Sequence, residues 1–349
     1  MDKMENDYFS ELEKARKKIR EYKKPLILYD DDPDGLSSFL ILYRWLREGR
    51  HHAIRSSPEV GTYYLDKIRD YNPDVIIILD KPLISERFIE GTNSPIIWFD
   101  HHTKDSYVCR RIWEINSRNF NLKNVSTAHI MYDMIKRDIW IGAVGAIGDW
   151  TLPRFIGDFK REFSDLLSGK ERVEEILFSS KLGEIIKVFS FLLKLPTNKY
   201  KKSVEILLNL DNPYSLLEET SETYYIIKNI KPIYEEYNEL MKKAGENIND
   251  DLILFIYDSG TSFTKELSNE LLYLHNDKTI IVGRKKGDRI KCSIRSHVHI
   301  LPAIVEKSLA NIRGYGGGHE HACGASIHKD DFKVFVEQFK SELSKRSLH

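Results

Sequence analysis

The chain has 349 residues, enough for two domains with separate cores. Lys plus Arg and Asp plus Glu number 53 each, so no global field draws nucleic acid or a membrane surface, and any such contact must come from local patches. Three cysteines, Cys109, Cys292 and Cys323, lie far apart without CxxC spacing, which excludes a disulfide framework and a zinc ribbon and fits a reducing cytoplasm.

The N-terminus is charged and carries no apolar signal region, and no apolar run approaches the length of a membrane span. A cytoplasmic location without membrane insertion is expected. Residues 5–23 read as an amphipathic helix with Phe9, Leu12, Ala15 and Ile19 on one stripe. Leu26-Ile-Leu-Tyr29 then reads as a short buried strand, followed by Asp30, Asp31, Asp32, Pro33, Asp34 and Gly35. The helix after it, 36–48, places Leu36, Phe39, Leu40, Tyr43 and Leu46 on one face. An acidic cluster thus sits where a strand ends and a helix begins, the edge at which open α/β sheets bind ligands. Crowded carboxylates repel one another, and a divalent cation relieves that repulsion. The competing reading is a solvated acidic turn with an aspartate N-cap.

The same grammar recurs downstream. Residues 51–55 are a weak strand candidate and 63–71 a helix closed by Asn72-Pro73. Asp74 to Asp80 is the clearest strand, its unbroken apolar run calling for burial on both faces as in a parallel sheet. Pro95-Ile-Ile-Trp-Phe leads into Asp100, His101 and His102, Ser126-Thr127 opens a helix, and the apolar run from Ile139 ends on Asp149. Strands alternating with helices at this spacing predict a doubly wound parallel sheet. Residues 155–214 read as helices, and 216–247 as a long charged helix kinked or broken at Pro232. From residue 250 a second domain is expected, with strands at 252–257, 279–283 and 289–295 and helices at 301–311 and 331–345. Between those helices lies a glycine-rich loop, Gly314-Tyr-Gly316-Gly317-Gly318-His319. Consecutive glycines let a backbone approach an anion closely, although such stretches are also commonly plain flexible loops.

Taken in order, these segments resemble the DHH phosphoesterase superfamily, in its RecJ-like branch with a DHH-associated C-terminal domain, and within it the archaeal RecJ-like nucleases associated with the GINS replication complex. Asp30-x-Asp32-x-Asp34-Gly35 resembles the first family motif, Asp80 the second, Asp100-His101-His102 the third and Gly148-Asp149-Trp150 the fourth. Gly316-Gly-Gly-His319 matches the glycine signature of the C-terminal domain, and Ser293-x-Arg295 its phosphate-contacting strand. The resemblance implies two Mn²⁺ or Mg²⁺ ions. Asp32 and Asp80 would hold the first; either Asp30 takes the place of a histidine that other branches carry, or the first ion is weakly held and activity is low. Asp34, Asp80, His101 and Asp149 would hold the second, with Asp80 bridging. His102 would act at the scissile phosphate and Asp100 would orient a histidine. Ser293, Arg295, Gly316, Gly317, Gly318 and His319 would bind substrate. Oxygen ligands with one or two imidazoles suit Mn²⁺ or Mg²⁺ better than zinc.

The expected organisation is a DHH catalytic domain over 1–215, a linker helix over 216–249 and a smaller mixed-sheet α/β domain over 250–349. The expected activity is single-strand-specific exonucleolytic hydrolysis of DNA or RNA to mononucleotides in replication or repair. Two alternatives stand beside it: a phosphodiesterase for short oligonucleotides or dinucleotides, and a helicase-complex scaffold with weak or no catalysis. Residues 155–215, the least family-like part, are the expected docking surface for a GINS-type partner.

Overall fold

The structure is a computed structural model that describes residues 3–55, 57–103, 109–246 and 251–345. It divides into two compact units, Met1–Lys228 and Asn229–His349.

The first unit opens with helix α1 (Lys3–Ile19), which buries Tyr8, Leu12, Ala15 and Ile19. Tyr8 takes the place on the buried stripe that the periodicity assigned to Phe9, and its hydroxyl donates to Asp133. Strand β1 (Pro25–Asp30) leads into α2 (Pro33–Leu46), and β2 (Arg50–Ile54) follows. After the short β3 (Glu59–Val60) and α3 (Leu65–Tyr71) come β4 (Val75–Leu79), β5 (Leu83–Ile84), α4 (Glu86–Glu90) and β6 (Ile96–Asp100). Strand β7 (Ile112–Asn116), absent from the sequence reading, completes a five-stranded sheet in the order β2-β1-β4-β6-β7. Every pairing in it is parallel. The chain steps from β1 outward to β2, then returns across β1 to β4, so the order reverses between β1 and β4. That reversal opens a crevice at the carboxyl ends of the two strands.

One sheet face carries Leu26, Leu28, Ile76, Ile78, Ile96 and Trp98, packed with Ile68 of α3 and Phe88 and Ile89 of α4. On the other face Tyr29 stacks on Phe39 of α2. Helices α2, α5 (Thr127–Ile135) and α6 (Ile139–Gly148) pack on one another. A Cβ on Gly145 would lie 2.4 Å from the Ala128 Cβ and 2.7 Å from the Ser37 Cβ, so only glycine allows this three-helix crossing. Helices α7 (Ile156–Glu162), α8 (Ser164–Leu167), α9 (Val173–Ser179), α10 (Lys181–Leu192) and α11 (Thr197–Leu207) follow, and α10 buries Leu182, Ile185, Ile186, Val188 and Phe189.

Helix α12 (Tyr224–Gly245) runs without interruption through Pro232, and the division between the units falls within it. The expected break at the proline is therefore not present, and residues 213–216 form a separate short 3-10 turn. The predicted end of the linker and start of the second domain fall on 247–250, outside the described residues.

The second unit holds β8 (Leu252–Asp258), α13 (Thr264–Leu274), β9 (Thr279–Lys286), β10 (Arg289–Ser296), α14 (Pro302–Ser308), β11 (Gly314–His319), β12 (Ala322–His328) and α15 (Phe332–Ser344). Its sheet is mixed, in the order β11-β12-β10-β9-β8, with β8 and β9 parallel and the rest antiparallel. The glycine-rich stretch is the edge strand β11, paired from Gly314↔Ile327 to His319↔Ala322, not the loop expected. The sheet buries Cys292, Ile294, Cys323 and Ile327 with Ile304 and Val305 of α14 and Phe335 and Phe339 of α15. Among the described residues, no helix is long and apolar enough to cross a membrane.

Candidate metal centre

The carboxylates predicted from the sequence converge at the β1–β4 crevice. Asp30 ends β1, and Asp32 caps α2, its Oδ1 accepting the N–H groups of Asp34 and Gly35 at 3.0 Å each. Asp32 is thus the N-cap of α2 while standing within the acidic cluster at the end of β1. A Cβ on Gly35 would meet the Asp30 carbonyl oxygen at 2.6 Å, so glycine lets α2 begin directly against the end of β1.

Asp34 is 1% exposed. Its two oxygens accept the N–H groups of Thr127 and Ala128, each at 2.8 Å. These are unpaired donors of the first turn of α5, and a carboxylate there is favoured by the helix dipole. The Thr127 hydroxyl donates to Asp80 Oδ1 at 3.1 Å. Asp80 follows β4 with a left-handed backbone (φ 60°), which turns the chain sharply out of the strand. His101 and His102 follow β6, and Asp149 follows α6.

His101 stands among the acids. Its Nε2 lies 3.4 Å from Asp80 Oδ1, 3.5 Å from Asp149 Oδ2 and 3.9 Å from Asp34 Oδ2. Three sets, Asp30/Asp32/Asp80, Asp34/His101/Asp149 and Asp80/His101/His102, each offer one ligand atom per residue within 4.8 Å of the others. Burial and the neighbouring Asp34, Asp32, Asp149 and Asp30 charges hold the Asp80 carboxyl well above its ordinary range. Burial raises Asp34 as well. Burial and the Asp32 charge raise Asp30 to about 6, against the lowering effect of Lys81. Burial lowers His101, which favours the neutral, ligand-competent imidazole. Buried, mutually repelling carboxylates around a neutral imidazole are a donor set that fits Mn²⁺ or Mg²⁺.

His102 has a different environment. Its Nδ1 lies 2.7 Å from Oδ1 of the fully buried Asp100. Burial disfavours the imidazolium, but the Asp100 hydrogen bond and the charges of Asp100, Asp32 and Asp34 outweigh it and raise His102 above its ordinary value. The histidine pair is held from behind. Arg118 donates to the His101 carbonyl at 2.6 Å and Asn116 to the His102 carbonyl at 3.1 Å.

Sequence reading missed Lys81. This side chain is 1% exposed, and its ammonium lies 2.7 Å from Asp30 Oδ1 while also donating to the Ser57 carbonyl. Its adjacency to Asp80 was the available signal, but a lysine after a strand normally reads as a surface residue.

The substrate residues predicted in the second unit lie apart from this cluster in sequence and belong to the other sheet. Register places His319, Ala322 and Arg295 in one row across β11, β12 and β10, and Gly317, Gly324 and Ser293 in the next row of the same face. Ser293 is buried and accepts a hydrogen bond from the Ser268 hydroxyl at 3.0 Å. Arg295 is anchored through Nε to Asn269 at 2.7 Å and through Nη1 to the carbonyls of Ile294 and Cys323. Both therefore already engage protein partners. Glycines 316–318 and His319 are exposed along the edge.

Residues 24–149 match the DHH family, N-terminal domain, and residues 252–345 match the DHHA1 domain, together more than half of the chain. No curated protein matches it in sequence. Among solved structures, RecJ of Thermus thermophilus in complex with Mn²⁺ is similar with a TM-score of 0.65 at 15% identity, over 98% of this chain and 55% of that one. The chain thus spans about half the length of that RecJ. Exonuclease RecJ bound to manganese is similar with a TM-score of 0.66 at 14% identity, over 96% of this chain and 94% of that one. The pGpG-specific phosphodiesterase PggH of Vibrio cholerae is similar with a TM-score of 0.51 at 13% identity, over 91% and 99% of the two chains. At these identities the likeness is one of fold.

Proposed function

The chain belongs to the DHH superfamily, a DHH domain followed by a DHHA1 domain, and on that premise we propose that it is a metal-dependent phosphodiesterase, acting as a single-strand-specific exonuclease on DNA or RNA. The observation that carries this reading is the convergence of Asp34, Asp80, His101 and Asp149, from four separate segments, on the crevice where the strand order reverses. Divalent ions held there would supply a water-derived nucleophile and offset charge on the phosphate. Asp80 and Asp34 present buried carboxylates, and the N-terminus of α5 fixes Asp34 in place. Asp100 holds His102 with Nδ1 toward itself, which leaves Nε2 to carry a proton to the substrate. The row of His319 and Arg295, with the exposed glycine edge, supports a phosphate-binding role for the second unit, where Arg295 contributes field more than direct contact.

The RecJ neighbours favour nucleic acid as the substrate, and the PggH neighbour, alike over nearly the whole of both chains, supports dinucleotides as the second reading. End-labelled single-stranded DNA and RNA of graded length, with Mn²⁺ or Mg²⁺, separate the two. A mononucleotide ladder on long strands supports the exonuclease. Cleavage confined to the shortest substrates supports the second reading, and cleavage of closed circular strands as fast as linear ones refutes an exonuclease. Absence of cleavage with metal bound would favour a scaffold role. We also propose residues 155–215 as the docking surface for a GINS-type complex. Unchanged binding after charge reversal at the exposed Lys201 and Lys202 would remove that assignment.

A further inference from the structure

Two of the acidic sets differ in one respect. The Asp34/His101/Asp149 set has backbone N–H groups and an imidazole around it, whereas the Asp30/Asp32/Asp80 set has an ammonium in its wall. Lys81 Nζ sits 2.7 Å from Asp30 Oδ1, the same oxygen that also accepts the Asp31 N–H at 2.7 Å. The side chain cannot swing away to solvent. It is 1% exposed, its ammonium donates to the Ser57 carbonyl, and its own carbonyl accepts the Trp98 indole N–H at 2.9 Å. Ser57 is itself pinned, its hydroxyl donating to the Glu59 carbonyl at 2.9 Å. The ammonium is thus committed to Asp30 and the Ser57 carbonyl rather than presented on an open surface.

We propose that Lys81 is a built-in counter-ion that weakens divalent-ion binding at the Asp30/Asp32/Asp80 set, so that the centre holds one ion tightly, at Asp34, Asp80, His101 and Asp149. The inference rests on the metal-dependent reading above and deepens it. An ion bound by Asp30 Oδ1 at an ordinary oxygen–metal distance would stand no more than about 5 Å from a fixed positive charge. It would also have to share an oxygen already engaged by two N–H donors. Pairing with Lys81 further removes one of the three negative charges the set would otherwise offer. At the other set the donors to Asp34 are backbone N–H groups of Thr127 and Ala128, which carry no net charge to repel an ion.

The test counts ions on the intact chain by Mn²⁺ titration, with free Mn²⁺ read by electron paramagnetic resonance and heat by calorimetry. The wild type is expected to take up one ion tightly, with any second ion weaker by about a hundredfold. Lys81→Met removes the charge while keeping an unbranched chain of similar volume, and is expected to tighten the second ion by about tenfold or more. Asp34→Asn is expected to remove the tight ion from the wild-type background. Two ions of similar affinity in the wild type, or a second ion no tighter in Lys81→Met, overturns the role of Lys81 while leaving the metal reading intact. No ion bound by the wild type overturns both. The wild-type count decides the matter even where the lysine variant does not fold.

Discussion

The Gly35→Ala variant is expected to push the start of α2 away from the end of β1 and so to open the acidic centre. An alanine Cβ there would lie 2.6 Å from the Asp30 carbonyl oxygen, 2.8 Å from its Cβ and 2.8 Å from its nitrogen. Relief to an ordinary van der Waals contact requires a displacement of about 0.8–0.9 Å. Two of the three obstructing atoms are backbone in a buried strand, so no rotamer change relieves them. Overpacking of this kind costs about 1–3 kcal/mol. The gain from replacing glycine within a helix, about 1 kcal/mol, offsets part of it. A net loss of up to about 2 kcal/mol follows. Asp32 would also lose its cap to the Gly35 N–H, and the spacing of Asp30, Asp32 and Asp34 would change. Metal affinity should fall by about tenfold or more, since ligand placement within a few tenths of an ångström decides it. All five tryptophans, Trp45, Trp98, Trp113, Trp140 and Trp150, lie in the first unit, so urea unfolding followed by tryptophan emission in EDTA reports that unit alone. A variant with the wild-type midpoint and wild-type Mn²⁺ affinity would refute the close-approach role of Gly35.

Other perturbations have equally definite outcomes. Asp34→Asn leaves one oxygen for two backbone donors, so the amide nitrogen must face the N–H of Thr127 or Ala128; a loss of about 1–3 kcal/mol is expected beside the loss of metal binding, and a variant as stable as wild type in EDTA contradicts the α5 contact. Asp100→Asn removes the largest of the contributions that raise His102 while its burial remains, so the histidine should titrate below its wild-type value by NMR; an unchanged value would exclude Asp100 as the cause. Asp30, near 6, and Asp34 and Asp80 are carboxyls whose folded values lie above their unfolded ones. Their contribution to ion-free stability is full below about pH 4 and is lost as the pH rises through the folded values. Bound Mn²⁺ should offset that loss, so the stabilisation by Mn²⁺ should grow between about pH 5 and 7.5, reaching about 2.7 kcal/mol at a hundredfold excess over Kd. Equal Mn²⁺ stabilisation at both pH values would show that these carboxyls are not the ligands.

The features legible in the residue pattern alone are local ones. Unbroken apolar runs such as Val75–Leu79 and Ile96–Asp100 demand burial on both faces, and strands alternating with helices then leave a parallel sheet as the arrangement. Each run ends on a residue too polar to continue it, so Asp30, Asp80, Asp100 and His101 are legible as strand-end residues without any knowledge of strand order. Strand order is another matter. That β1 and β4 are neighbours at the reversal, and that the N-terminus of α5 closes on Asp34 from 93 and 94 residues away, depends on pairings that no local periodicity encodes. The same holds for Lys81. Its charge suggested the surface, and only the left-handed turn at Asp80 and the approach of Ser57 bury it against Asp30. In the second unit, glycines 316–318 carry no side-chain pattern from which a strand can be read, and it is the hydrogen-bonding edge offered by β12 that makes them one. Likewise, the partners that α13 supplies to Ser293 and Arg295, Ser268 and Asn269, follow from packing that the strand's own residues do not encode. Residue type sets which groups can bind a metal or a phosphate, whereas tertiary contact decides which of them are already satisfied by the protein itself.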